Sequence, residues 1–280
     1  MANWRQVLIV TDSTSDLPQH FVDDLGIVVV PLNIAFGSES FRDGIDLTPT
    51  AFLSKLQGSA ALPKTSQPPV TAFESVFREA IERDRDVVCI TISSDLSGTL
   101  NAARLAADAT DPDRIHIVDS RATTMQEGWV VVEAARKAKD GADAAAVAET
   151  ARNAIPRTRL YAVLRTLDYV HKGGRIGKAQ QLVGSALAIK PILGFVDGVL
   201  VPVERVRTWK KAVARITALV TPTPTDIAVL HSDNIEDAQR VAADLQRLYP
   251  RATIGISYAG ATISTYAGPG ALGVAVLYPE

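Results

Sequence analysis

Four hydroxyl-rich stretches hold most of the chemistry available to this chain. In "VVCITISSDLSGTLNAARLAADA", residues 87–109, the hydroxyls of Ser93, Ser94, Ser97 and Thr99 fall between an apolar, β-branched run and a segment with Leu and Ala at helical spacing. Such a turn, at the carboxyl end of a parallel strand, is where open α/β sheets bind ligands. The helix that follows offers unpaired N–H groups to an anion. The plainer alternative for Ser97 is a helix N-cap. "PKTSQPPVTAF" holds Thr65 and Ser66 in a stiff extended segment, because residues before proline avoid helical backbone. "GATISTYAGPGALG" sets Thr262, Ser264, Thr265 and Tyr266 ahead of a Gly-Pro-Gly turn that lets backbone approach closely. "HKGGRIGKAQ" places Arg175 and Lys178 beside Gly173 and Gly174, either able to cap a preceding helix. Each stretch also has a purely structural explanation, as a rigid loop, turn or cap. Small hydroxyls without a strong base nevertheless suit hydrogen bonding to a carboxylate or phosphate better than nucleophilic attack.

Hydrolytic chemistry has fewer candidates. No G-x-S-x-G occurs, and of the four histidines only His231, at a strand end, is placed as a base. His116 lies in an apolar strand, where packing is expected, and His20 and His171 read as surface helix residues. Asp12 and Asp16 follow the first apolar strand, where a carboxylate suits an aspartyl nucleophile or a magnesium site, or equally a turn residue and a helix N-cap. The same turn, "TDSTSDLP", contains no glycine, which argues against a dinucleotide fold, and no G-x-x-x-x-G-K-[ST] supplies a phosphate loop. A stand-alone phosphatase or hydrolase using Asp12 or His231 is the enzymatic alternative to a binding protein.

The elements that must position these residues alternate from the start. Strand 7–11, a helix opened by Asp16 and Pro18, and strand 27–32 make a βαβ beginning. After a polar segment rich in Gly, Asp and Ser come helix 71–82, strand 87–92, helix 98–109, strand 115–118 and helices 125–139 and 143–154. Parallel pairing with helices on both faces follows from the alternation. Pro156 ends the last helix, and a new strand begins at 160. The boundary between an N-terminal α/β domain, 1–156, and a C-terminal α/β domain, 157–280, is placed there. Beyond it a ribbon turns at Asp197-Gly198, the strongest hairpin signal in the chain. Helix 209–220, strand 226–231, helix 235–248 and strands 253–257 and 273–278 complete the second unit.

At 280 residues the chain has room for two compact cores. Its 29 basic and 31 acidic residues leave a charge of -2 and no basic stripe, which disfavours nucleic acid. The single cysteine, Cys89, is expected to be a buried thiol, in keeping with a reducing compartment. No apolar run is long enough to span a bilayer, and the start lacks the apolar core of a signal peptide, so a soluble cytoplasmic protein is expected.

Taken in order, "VTDSTSDLP", "KTSQPPV", "ISSDLSGT", "LDYVHKGGRIGKAQ" with "AIKPIL", "ERVRTWKKA" and "AGPGALGV" resemble the DegV family of fatty-acid-binding proteins, which includes the FakB subunits of bacterial fatty acid kinase. The resemblance runs nearly end to end. It implies two α/β domains with a long-chain fatty acid between them, the tail in an apolar tunnel and the carboxylate near the domain interface. It implies that Thr65 and one of Ser93 and Ser94 hydrogen-bond the carboxylate, with Ser66 in support. Arg175 and Arg207 match basic family positions assigned to partner docking or the head-group surroundings: Arg175 to the partner, Arg207 to the ligand. A separate ATP-binding kinase subunit would phosphorylate the bound acid. This chain would then present substrate, perform no chemistry itself and need no cofactor. One position departs from the pattern. Many members carry His before the Gly-Pro-Gly turn, where this chain has Tyr266. A phenol can donate or accept a hydrogen bond but carries no charge near neutrality, so it replaces a neutral imidazole contact and not a cationic one.

Overall fold

The computed structural model describes residues 6–59, 61–183 and 189–280; Ala188 of "AIKPIL" lies outside them. The chain begins β1 (Val7–Asp12), α1 (Gln19–Leu25) and β2 (Val28–Val30). An inserted unit follows: β3 (Asn33–Phe36), β4 (Glu39–Arg42), α2 (Pro49–Gln57) and β5 (Lys64–Ser66). Then come α3 (Val70–Glu82), β6 (Asp86–Thr91), α4 (Thr99–Thr110), β7 (Ile115–Asp119), α5 (Thr124–Lys139) and α6 (Ala144–Ala154). Strands β2, β1, β6 and β7 form, in that order, a wholly parallel sheet. Alternation along β1 builds both of its cores. Val7 and Ile9 pack on α5 and α6, whereas Leu8 and Val10 face α3 and α4, where Phe73 and Phe77 are fully buried.

The second half runs β8 (Thr158–Val163), α7 (Asp168–Lys172), β9 (Lys190–Val196), β10 (Val199–Val206), α8 (Trp209–Leu219), β11 (Asp226–His231), α9 (Ile235–Leu248), β12 (Thr253–Tyr258), α10 (Ala261–Ala267) and β13 (Leu272–Leu277). Its six-stranded sheet has the order β10-β9-β8-β13-β11-β12, with β11 and β12 parallel and the other pairs antiparallel. Helices α8 and α9 cover one face through Ile216, Val241 and Leu245. The other face packs on α5: Met125, Trp129 and Val132 meet Leu160, Leu230 and Ala275, and the Trp129 indole N–H donates to the Ala275 carbonyl at 3.1 Å. Because Val130, Val131, Ala134 and Ala135 of α5 also face the first sheet, the helix buries two opposite faces and lies between the two sheets.

The alternating pattern missed the inserted unit. Its strands are three to four residues long and half polar, so periodicity has little to act on. Ile34, Phe36, Phe52 and Leu56 give it a core of its own, closed by Ala261 of α10. The "GATISTYAGPGALG" segment, read as residues before a turn, is helical over Ala261–Ala267. The expected hairpin turns where the sequence indicated, with Asp197 (φ 51°) and Gly198 (φ 82°) both left-handed, as a tight two-residue turn requires.

Candidate functional site

A cavity of about 290 Å³ lies between the two sheets. Its mouth is polar. β5 delivers Thr65 and Ser66, with Gln67 following; the turn into α4 supplies Ser97 and Gly98; α10 supplies Tyr266, and Arg175 follows α7. These groups touch one another. The Thr65 and Tyr266 hydroxyls are 2.5 Å apart, and the Arg175 guanidinium stands 5.4 Å from the centre of the Tyr266 ring. Arg175 Nε donates to the Leu96 carbonyl at 3.2 Å, and a Cβ on Gly98 would meet Gln67 at 2.4 Å. Ser66, Gln67, Gly98 and Arg175 are exposed, so this end of the cavity opens to solvent. The inner wall is apolar, with Leu160, Leu164, Leu193 and Leu200 all buried.

The mouth has the electrostatics of a carboxylate site. Among the described residues no acidic side chain pairs with Arg175, whose other contact is a 2.9 Å bond to the Gly173 carbonyl. Gly98, the N-cap of α4, has no side chain to cap the helix, and Ser97 Oγ accepts the Thr99 N–H at 3.4 Å; both residues line the cavity, so the positive end of the helix dipole lies beside the mouth. Ser97, one residue earlier, is bonded to the Thr99 hydroxyl at 2.9 Å and sits on the cavity wall.

The serine pair of the same turn points elsewhere. Ser93 is fully buried and donates to the Gly198 carbonyl at 3.0 Å, which ties this turn to the β9–β10 hairpin tip. Ser94 is exposed and donates to Asp119 at 2.6 Å. Arg207 is exposed after β10 and is not part of the cavity wall. Of the residues singled out from sequence, Thr65, Ser66, Arg175 and Tyr266 are therefore brought together at the mouth. Ser97, singled out in the same strand-to-helix turn, joins them; the N-cap of α4, its plainer alternative, is Gly98 instead.

The carboxylates near the site are structural in their bonding. Asp12 is completely buried and accepts from the N–H groups of Thr14 and Ile92, both at 2.9 Å, and from the Thr14 hydroxyl at 2.5 Å. Asp16 does not cap α1, whose N-cap is Pro18; its carboxylate accepts from the Gly260 N–H at 2.9 Å and the Thr124 hydroxyl at 2.5 Å. Asp43 accepts from Ser13 and from the Ala261 and Thr262 N–H groups. Glu127 accepts from the Thr11 hydroxyl at 3.3 Å, and its other oxygen lies 3.0 Å from the Thr14 hydroxyl, whose one proton is shared with Asp12. Burial raises the carboxyl pKa of all four, because a charge without a cationic partner is costly away from water. His231 is 2% exposed and packs on Tyr258, and its Nδ1 accepts from the Asn234 N–H at 3.3 Å; burial lowers its pKa. Neither Asp12 nor His231 lines the cavity. Among the described residues, no group of three or more His, Cys, Asp or Glu could hold a metal ion, and no helix is long and apolar enough to cross a membrane.

Comparison with known proteins bears on the same arrangement. A family model described as an uncharacterised protein of the DegV family matches residues 6–279. The Bacillus subtilis protein DegV is 33% identical over 274 residues, 96% of this chain and 98% of that one. A DegV domain-containing protein of Caldanaerobacter subterraneus is 36% identical over 275 residues, again 96% and 98% of the two chains. The crystal structure of Bacillus subtilis DegV, a fatty acid binding protein, superposes with a TM-score of 0.90 at 32% identity, covering 98% of this chain and 100% of the other. A Thermus thermophilus DegV family protein, described for its fatty acid binding, gives a TM-score of 0.91 at 31% identity over 98% and 100%. With two sheets clasping one cavity, and with matches that span nearly the whole length in both sequence and shape, the chain belongs to the DegV family.

Proposed function

We propose that this protein binds a long-chain fatty acid with its tail against the buried leucines and its carboxylate at the mouth, and presents that carboxylate to a separate ATP-dependent kinase subunit. The observation that carries the reading is the polarity of the cavity, apolar within and ringed at its solvent-exposed end by Thr65, Ser97, Arg175 and Tyr266. A chain of about ten buried methylenes is worth roughly 8 kcal/mol of transfer free energy before ordering costs. Each charge-assisted bond at the head group adds about 1.5–3 kcal/mol. Tail burial and head-group bonding are thus of comparable size, and the mouth sets which end faces out. The fatty acid binding described for the Bacillus subtilis and Thermus thermophilus relatives supports the same assignment.

Exposure of the head-group end supports presentation, since a phosphoryl donor on another protein would reach a carboxylate held beside exposed Ser66 and Arg175. The chemistry would then be the partner's, and its ATP would put the pair in the cytoplasm. Two measurements test the reading. Mass spectrometry of an organic extract of the purified protein is expected to find a near-stoichiometric fatty acid; an empty extract together with no uptake of added acid would sink the binding assignment. Mixing the loaded protein with ATP and a kinase subunit from the same genome is expected to give an acyl phosphate that hydroxylamine traps. Binding without any trapped product would leave a lipid carrier and remove the kinase.

A further inference from the structure

The geometry points to Gln67 as a further head-group residue: its side-chain amide donates to the ligand carboxylate and so selects an ionised head group over a neutral one, and Gly98 is the seat that holds it. The inference rests on the fatty-acid reading above and adds a specificity-determining residue to that site. Gln67 lines the cavity next to Thr65 and Ser66, is exposed at the mouth, and has no hydrogen-bond partner among the described residues. Its backbone is held on both sides. Ser66 pairs with Asn33 in the antiparallel ladder of the inserted unit, and Pro68 and Pro69 follow directly, so Gln67 is confined to extended backbone. The side chain is seated as well. A Cβ on Gly98 would lie 2.4 Å from Oε1, 2.9 Å from Cδ and 3.0 Å from Nε2, so the whole amide rests where any other residue would carry its side chain. Gly98 itself has φ −73°, ordinary backbone for a residue with a side chain, so the glycine serves space and not conformation.

Free donors are otherwise scarce at the mouth. An ionised carboxylate accepts at about four lone-pair sites. The Thr65 and Tyr266 hydroxyls are bonded to each other, which leaves one proton between them for a ligand, and the Ser97 hydroxyl is likewise paired with that of buried Thr99. Arg175 supplies the cation, but its Nε and Nη1 already donate to the Leu96 and Gly173 carbonyls. The Gln67 amide brings two N–H donors that no described group uses, and it carries no charge to desolvate when a ligand arrives. Because the ladder and the prolines fix its backbone, little main-chain freedom is lost when the amide bonds a carboxylate.

The test compares dissociation constants of the lipid-stripped protein for hexadecanoic acid and for hexadecan-1-ol at about pH 8, well above the carboxylate range. Gln67→Ala is expected to weaken the acid about tenfold, the worth of one bond to a charged group, and to leave the alcohol nearly unchanged. Gln67→Glu, of the same shape, sets a like charge at the head group and should weaken the acid more than Gln67→Ala does. Gly98→Ala should reproduce the selective loss by unseating the amide, and adding it to Gln67→Ala should cost nothing further. An acid affinity that survives Gln67→Ala, an equal loss on both ligands, or a Gly98→Ala defect undiminished in the Gln67→Ala background would each overturn the assignment. Wild-type protein that binds neither ligand would instead sink the fatty-acid reading itself.

Discussion

The hydroxyls of Thr65 and Tyr266 meet at 2.5 Å across 201 positions of sequence. The bond joins β5 of the inserted unit to α10 of the second half, directly over the cavity mouth. Arg175 lies against the face of the same tyrosine ring, so one side chain organises both a donor and a cation for an incoming carboxylate. The phenol of Tyr266 reaches the threonine by itself.

Tyr266→Phe keeps the ring under Arg175 and deletes the hydroxyl. If the phenol donates to the carboxylate, fatty acid affinity should fall about tenfold or more, the worth of one charge-assisted bond. The unfolding midpoint should move little, because Tyr266 is only half-buried. Isothermal titration of the lipid-stripped variant decides it. Unchanged affinity would mean that the Thr65–Tyr266 bond merely shuts the mouth.

Ser97 and Ser94 separate the cavity from its surroundings. Ser97→Ala removes a hydroxyl from the cavity wall and is expected to weaken fatty acid binding severalfold, whereas Ser94→Ala removes a surface bond to Asp119 and should change stability by no more than about 0.5 kcal/mol and binding not at all. A larger binding defect in Ser94→Ala than in Ser97→Ala would reverse the assignment.

The hairpin tip offers a test of how the two halves hold together. Gly198 has φ 82°, and a Cβ there would meet the Ser93 hydroxyl at 2.4 Å and the Arg121 guanidinium carbon at 2.9 Å. Arg121 also pairs with Asp95 at 2.8 Å and donates to the Asp197 carbonyl, so the tip is latched to the turn that precedes α4. Gly198→Ala combines backbone strain with loss of this latch and should cost about 1–3 kcal/mol in a denaturant melt. Phe195 and Leu200 on the same hairpin line the cavity, so fatty acid should also leave faster. A neutral melt would show that the tip is free to shift.

Much of the scaffold was legible because it repeats a simple rule. β11 and α9 have the bounds that period two and period 3.6 indicate, and α3, β6 and α4 differ from expectation by a residue. The site was less so. Choosing among Ser93, Ser94 and Ser97 requires knowing which way a three-dimensional turn faces, and all three precede the same helix. Helix α10 was hidden by its β-branched Thr262, Ile263 and Thr265, poor helix formers that its packing against the inserted unit overrides. The buried carboxylates had no pattern to announce them, since Asp12 and Asp16 look in sequence like any turn residues.

Those carboxylates predict a pH dependence with a definite sign. Asp12, Asp16, Asp43 and Glu127 all have raised carboxyl pKa values, chiefly from burial, and for Asp16 the charges of Asp43 and Asp12 push further in the same direction. A carboxyl whose pKa is higher folded than unfolded holds its proton more tightly in the native state. Its contribution to stability is therefore complete below the ordinary carboxylate range and is lost as pH rises through the raised value. Asp46 works in the opposite sense: its bonds to Arg42 hold it at about 2, so its contribution is lost only under stronger acid and does not mask the cluster. The unfolding midpoint should accordingly fall as the pH is raised above the ordinary carboxylate range, each raised pKa unit being worth about 1.4 kcal/mol. Asp16→Asn is the informative variant. The amide oxygen still accepts the Gly260 N–H and the amide nitrogen can donate to Thr124, so the links to α10 and α5 survive while the titrating charge is gone. Its melting curve should depend less steeply on pH than that of the wild type, with the largest gain at the alkaline end. A wild-type midpoint that rises as the pH is raised above the carboxylate range, or a slope that Asp16→Asn leaves intact, would mean that the cluster is already compensated in the folded protein.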